Sequence, residues 1–295
     1  MELMLSLLKV SMKPLTRLTA IIFVFNLGLY AQNAPDSTKK VLLASLEKRG
    51  STRYIIKEAN VVYPEILKGN EAQTLEYIEK FTNNRRDYLV RMYNKGKKML
   101  PQVSAILKKY DLPEEFRMLL ILESAYNANA VSKAGAVGYW QIMDEVAKEY
   151  GMKYIAKLSV AQKRKLVKAK KGAKLAKLRD DRKNFSIATH TAARYLCDRR
   201  RNLDDNWLLI AASYNCGVGN VWNAMKRTGL SNPDFWDVKK YLPSETQAYV
   251  MNFIALNVIF SNYDLFAAKR LSFTPEKILI PTNFDEDNID DQTKR

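Results

Sequence analysis

"LPEEFRMLLILESAYN", Leu112 to Asn127, places one carboxylate, Glu123, directly after four aliphatic residues. Read as a helix, the stretch puts Glu123 on one face with Phe116, Leu119 and Leu120, seven, four and three positions earlier. That face is expected to pack into a core. Burial strips water from a charged carboxylate and raises its pKa, so Glu123 would stay protonated near neutral pH and serve as a general acid. The alternative is an acid at the rim of a core, paired with one of the chain's many lysines. At the start of the stretch, Asp111 is placed as a helix cap, Glu114 as its capping-box partner and Pro113 in the first turn.

The flanking sequence supports a mainly α fold. "NANAVSKAGAVGYWQIM" is rich in small residues and carries Gly135 and Gly138, which suit a tight loop leading to another helix. "MDEVAKEYGM" then closes at Gly151, a helix C-terminal signal. "FSIATHTAARYLCDRRRN", "NWLLIAASYNCGVGNVWNAM" and "PSETQAYVMNFIALNVIF" all have helical periodicity, and strand signals are few. Upstream, apolar Leu75, Ile78, Leu89, Met92 and Tyr93 recur at turn spacings, so the segment from Ser51 to Tyr110 is read as helical. Residues 32–52 read as a polar linker. The domain layout expected is a linker and helical segment over 32–108, a main helical domain over 109–262, and a tail over 263–295 whose acidic end, "FDEDNIDDQTKR", is expected to be disordered.

The run "QKRKLVKAKKGAKLAKLRDDRK", residues 162–183, has two readings: a solvated helix face that aids solubility, or a surface that binds polyanions. Lys+Arg outnumber Asp+Glu by 48 to 31, a balance that favours an anionic partner. At the N-terminus, Lys9, Lys13 and Arg17 precede the apolar "LTAIIFVFNLGLYA", the pattern of a secretory signal cleaved after Ala31. That apolar run is short for a bilayer-spanning helix of about 20 residues. An exported, periplasmic protein follows, which argues against a nucleic-acid role. Cys197 and Cys216 fall on adjoining helices at positions too far out of step along a hairpin for a bridge to be expected. Neither they nor the single histidine, His190, have metal-ligand spacing, so no metal and no cofactor is expected. Without a nucleophile elbow or phosphate loop, carboxylate chemistry remains, and it points to glycosidic bonds.

Four segments in order, "LPEEFRMLLILES", "ESAYNANAVSKAGAVGYWQIM", "AASYNCGVGNV" and "FWDVKKYLPSETQAYV", resemble the successive signatures of family 23 lytic transglycosylases, and among them the membrane-bound D type. The resemblance spans about residues 75–262 and implies a lysozyme-like catalytic domain of the goose type, preceded here by a helical segment. It implies that Glu123 is the catalytic acid and base, and that Ser132 and Gln141 line the sugar cleft. Tyr214 and Asn215 would meet the scissile sugar and its N-acetyl group, with Glu245 and Tyr249 supporting from the last helix. Trp140 is either core or a sugar platform. Ser213, Cys216 and Tyr139 depart from the usual pattern without removing a group the chemistry needs. The C-terminal LysM repeats of many relatives have no counterpart after residue 262, so wall affinity is expected from the cleft, the basic charge or the N-terminal segment. The partner implied is the peptidoglycan glycan strand, bound by a monomer, with electrostatic contact to anionic envelope polymers.

One acid suffices for such an enzyme because the acetamido group of N-acetylmuramic acid can take the part of the second carboxylate. The expected reaction cleaves the β-1,4 bond to N-acetylglucosamine and closes a 1,6-anhydro ring. The rivals are a muramidase or chitinase of the same fold, and a non-catalytic wall-binding protein.

Overall fold

The computed structural model describes residues 53–156 and 179–280. The expected signal segment, the 32–52 linker, most of the lysine-rich run and the acidic end of the tail lie outside the described residues. Eleven α-helices are described: α1 Glu71–Asn84, α2 Arg86–Gly96, α3 Leu100–Lys109, α4 Leu119–Ser124, α5 Asp144–Glu149, α6 Phe185–Asn202, α7 Trp207–Cys216, α8 Val218–Thr228, α9 Phe235–Lys239, α10 Ser244–Ser261 and α11 Tyr263–Ala267. The fold is mainly α, as the periodicities require. The chain divides into two compact units, one of them residues 61–270.

Within that helical unit, α10 is the centre. It is apolar on every side, burying Val250, Phe253, Ile254, Ala255, Leu256, Val258 and Ile259, and a helix of that character is stable only when surrounded. It packs against α1, α4 and α7. Phe116 fills the space between them, its ring 5.4 Å from Phe253 and 5.8 Å from Trp207. Side chains stop the free amides at several helix starts. Asn184 accepts from Ile187 N–H on α6, Asn206 accepts from Leu209 N–H on α7, and Asp234 and Asp237 form a capping box on α9.

Three sequence expectations change. Asp111 and Glu114 do not form a capping box. Asp111 belongs to the turn closing α3, with φ +53° and its N–H donating to Lys108 O, and its carboxylate faces Arg200 at 3.1 Å. Glu114 instead accepts from Arg117 at 2.6 Å, and a 3-10 turn, Glu114–Met118, leads into α4 without a side-chain cap. Second, the segment expected to be helical from Ser51 opens with a strand, β1 Arg53–Lys57. It pairs antiparallel with β2, Glu276–Ile280, inside the expected tail. "RYIIK" and "EKILI" are short runs far apart in sequence, and neither declares a strand until the other lies beside it.

Third, the end of the basic run is core rather than a solvated or polyanion-binding face. Arg182 is fully buried. Its guanidinium donates to Asp180 at 2.8 and 2.9 Å, to Asp144 at 2.5 Å and to the Ile155 carbonyl at 2.9 Å, and lies over the Tyr154 ring. Only such complete pairing makes a buried cation tolerable. Burial alone would raise the Asp180 carboxyl, but hydrogen bonds from Arg182 and the Ile155 N–H outweigh it and hold the group below its ordinary value. Gly138 meets this cluster with φ +83°, and a Cβ there would lie 2.0 Å from the Arg182 carbonyl oxygen, so only glycine fits.

Arg182→Met is therefore expected to leave the buried carboxylate of Asp180 without its guanidinium, and to lower stability by about 3–5 kcal/mol. Chemical denaturation at neutral pH reads this directly, and a loss under 1 kcal/mol, as for an exposed pair, would contradict the buried arrangement.

Candidate active site

Glu123 occupies the last turn of α4, and two left-handed residues, Ala125 (φ 47°) and Tyr126 (φ 64°), stop the helix immediately behind it. The apolar face read from the sequence is real: Phe116, Leu119 and Leu120 are buried. Glu123 itself is half-buried. Loss of hydration is the largest influence on its carboxyl and pushes the pKa up to about 7. The Tyr249 hydroxyl, donating to Glu123 Oε1 at 2.5 Å, opposes this rise, and the nearby charge of Glu245 adds to it. Glu245 and Tyr249 stand four residues apart on α10, one helical turn, and so approach Glu123 from the same face.

From α7 come Tyr214 and Asn215. The Tyr214 hydroxyl donates to the Trp140 carbonyl at 2.9 Å, and Asn215 Oδ1 accepts from the Thr246 hydroxyl at 2.7 Å. Burial pushes the Tyr214 and Tyr249 phenols well above their ordinary value, and the charge of Glu123 pushes them the same way. Both therefore remain proton donors throughout the working range of Glu123. The structure thus brings Glu123, Tyr214, Glu245 and Tyr249 into one electrostatically coupled group, with Asn215 beside it.

Ser132 and Gln141 serve first to close the loop between α4 and α5. Ser132 Oγ accepts from the N–H groups of Gly135 and Ala136, at 3.2 and 3.0 Å. Gln141, with φ 46°, donates through Nε2 to the carbonyls of Ala130 and Gly138. Small antiparallel bridges, Val131 to Val137 and Val137 to Ile142, stiffen the same loop. Trp140 is core: it is fully buried and its Nε1–H donates to Thr189 Oγ1 at 3.0 Å.

Sequence reading missed two positioning residues. Ser124 ties the loop to the end of α4 by donating to the Tyr139 carbonyl at 2.8 Å, and Thr246 fixes the Asn215 amide. Both sit inside quoted segments, next to residues already singled out, so adjacency was the available signal. His190 meets the Tyr110 hydroxyl through Nδ1, a packing role. Cys197 and Cys216 are free thiols. Among the described residues, no cluster of three or more His, Cys, Asp or Glu side chains is placed to hold a metal ion.

Residues 101–235 match the transglycosylase SLT domain, with Glu123, the loop and α7 all inside the matched span. The matched span is a little under half of the chain. Over 190 residues it is 30% identical to membrane-bound lytic murein transglycosylase D of Escherichia coli K12, and equally to that of E. coli O6:H1 strain CFT073. Those alignments cover 63% of this chain and 36% of the relatives, so the chain spans about a third of their length. Two solved structures overlay loosely, each with a TM-score of 0.37. Lytic transglycosylase Slt of Pseudomonas aeruginosa is 20% identical over 58% of this chain and 25% of its own. The 70 kDa soluble lytic transglycosylase of E. coli is 17% identical over 88% and 45%. Overlays at that level have no bearing on function.

The coupling around Glu123 gives opposite shifts for two variants. Tyr249→Phe removes the bond that favours the carboxylate and should raise the Glu123 pKa. Glu245→Gln removes a like charge and should lower it. If Glu123 acts as an acid, the alkaline limb of the pH–rate profile moves up in the first variant and down in the second. Shifts of the same sign in both would break the electrostatic account.

Proposed function

We propose that the chain is a peptidoglycan lytic transglycosylase with Glu123 as its single general acid and base. What carries the reading is a carboxyl with a pKa near 7, held by a phenol that cannot itself ionise, inside an SLT domain. A group titrating near the operating pH is protonated in a useful fraction of molecules and is a competent base once it has given its proton.

In the proposed sequence, protonated Glu123 donates to the glycosidic oxygen between N-acetylmuramic acid and N-acetylglucosamine. The acetamido oxygen of the muramyl sugar supports the developing cation. Ionised Glu123 then accepts the proton of the sugar's C6 hydroxyl as that oxygen closes the 1,6-anhydro ring. No water is consumed. Tyr249 holds the carboxyl in place through both transfers. Tyr214 and Asn215 face the acetamido side. Ser132 and Gln141 form the floor of the cleft through the loop they close, Gln141 keeping its amide oxygen for the glycan.

The protonated form of the acid is favourable to folding and the charged form is not. The unfolded carboxyl ionises near its ordinary 4.5, the folded one only near 7. Between those values the folded state binds more protons, so stability falls as pH rises through the window and stays low above it. Glu123→Gln should thus fold at least as well as the wild type, gaining on the order of 2 kcal/mol at pH 8. Its activity should fall by at least ~10²-fold, as for loss of a general acid. Mass spectrometry of digested murein should show 1,6-anhydromuramyl ends from the wild type, one water lighter than reducing ends. Only reducing ends would make the enzyme a muramidase, and no cleavage at all would leave a wall-binding protein.

Export is part of the same reading, because the substrate lies in the cell envelope. No helix among the described residues is long and apolar enough to cross a membrane. Cleavage after Ala31 would give a mature N-terminus at Gln32, which terminal sequencing of the envelope fraction tests; an intact residue 1–31 segment would refute the cleavage.

A further inference from the structure

A row of three tyrosines leads outward from the Glu123 group. Tyr214 meets Tyr195 of α6 edge-on, with centroids 5.5 Å apart, and Tyr195 meets Tyr150 at 6.3 Å, just after α5. Two guanidiniums lie over the outer rings: Arg199 is 4.6 Å from the Tyr195 centroid and Arg194 is 5.2 Å from that of Tyr150.

The arginines of α6 differ in how they are engaged. Arg194 donates to the Tyr150 carbonyl, Arg200 pairs with Asp111 and Asp205, and Arg201 pairs with Asp198, which also binds the Tyr150 hydroxyl. Arg199 forms no ion pair among the described residues; it hydrogen-bonds the Tyr195 hydroxyl, while its Nε–H is buried without an acceptor. Glu149 is the one acid whose charge reaches both outer tyrosines, and it is exposed on the last turn of α5 rather than bonded to Arg199. A half-buried guanidinium seated on an aromatic ring, with donors to spare, is arranged to accept a planar anion.

We infer that Arg199, packed on Tyr195, takes a carboxylate of the glycan strand one saccharide position beyond the Tyr214 group, and so selects strands bearing acid groups. This rests on the transglycosylase reading. In that substrate a carboxylate comes from the lactyl ether of a muramyl sugar stripped of its peptide, or from the stem peptide itself. Chitin oligosaccharides carry neither. The tyrosine row would support the sugar faces while the guanidinium reads the charge.

The test compares wild type, Arg199→Met and Arg199→Lys on three substrates: peptide-free murein strands, peptide-bearing strands and chitin oligosaccharides. Met keeps the packed stem without the charge, and melting curves check that each variant folds. The expected result is a rise in KM of about tenfold for Arg199→Met on carboxylate-bearing strands, the value of one partly exposed charged hydrogen bond, with the loss falling on KM rather than kcat. Lys should recover part of it, and added salt should narrow the gap. A loss on peptide-free strands alone assigns the lactyl carboxylate, a loss on peptide-bearing strands alone assigns the stem, and a loss on both shows that Arg199 takes either carboxylate. An unchanged KM on both, or an equal loss on chitin oligosaccharides, overturns the inference. The two readings fail separately. A wild type inert on every strand removes the transglycosylase assignment, whereas a wild type that cuts murein while Arg199→Met matches it removes only the arginine's role.

Discussion

The hydrogen bond from Tyr249 to Glu123 joins the two helices on which everything else is built. It spans from the last turn of α4 to the first part of α10, and α10 is the helix around which the unit is packed. The bond works against the desolvation that raises the Glu123 pKa, so the carboxyl is neither forced to remain neutral nor left freely charged. A balance near 7 needs both contributions. Without the apolar wall of Phe116, Leu119 and Leu120 the pKa would fall toward the ordinary carboxyl value; without the phenol it would rise further.

Such a site is costly to the fold. Glu123 is kept in surroundings that favour its neutral form, and directly behind it two non-glycine residues adopt left-handed backbone conformations. The rest of the structure offsets this. Trp140 is locked to Thr189, its carbonyl anchors Tyr214, and Ser124 binds the loop to α4. Behind that loop the Arg182 cluster ties Asp144, Asp180 and the Ile155 carbonyl together against Gly138. The loop is thus fixed from the active-site side by hydrogen bonds and from the rear by a buried ion network.

Much of the site was legible in the sequence because the relevant relations are local. Glu123 and its apolar face lie within two helical turns, Glu245 and Tyr249 within one, and the glycines that shape the loop mark themselves by composition. The roles of Ser132 and Gln141 were less legible. Their motif position pointed to the cleft, while the folded chain shows each of them satisfying backbone groups of its own loop. Arg182 was misread altogether, since a cation at the end of a lysine-rich stretch resembles solvated surface until its two acids, one of them far back in the chain at Asp144, are brought to it.

By itself the sequence determined the helical periodicity, the buried face presenting Glu123 and the order of segments that resemble the SLT domain. These follow from the 3.6-residue repeat and from residue chemistry, which are properties of neighbours along the chain. Only the tertiary structure decided the pKa of Glu123, the pairing of β1 with β2, the burial of Arg182 and the line of tyrosines ending at Arg199. Each depends on groups distant in sequence meeting in space, where the energy of a charge or a strand edge is set by what surrounds it.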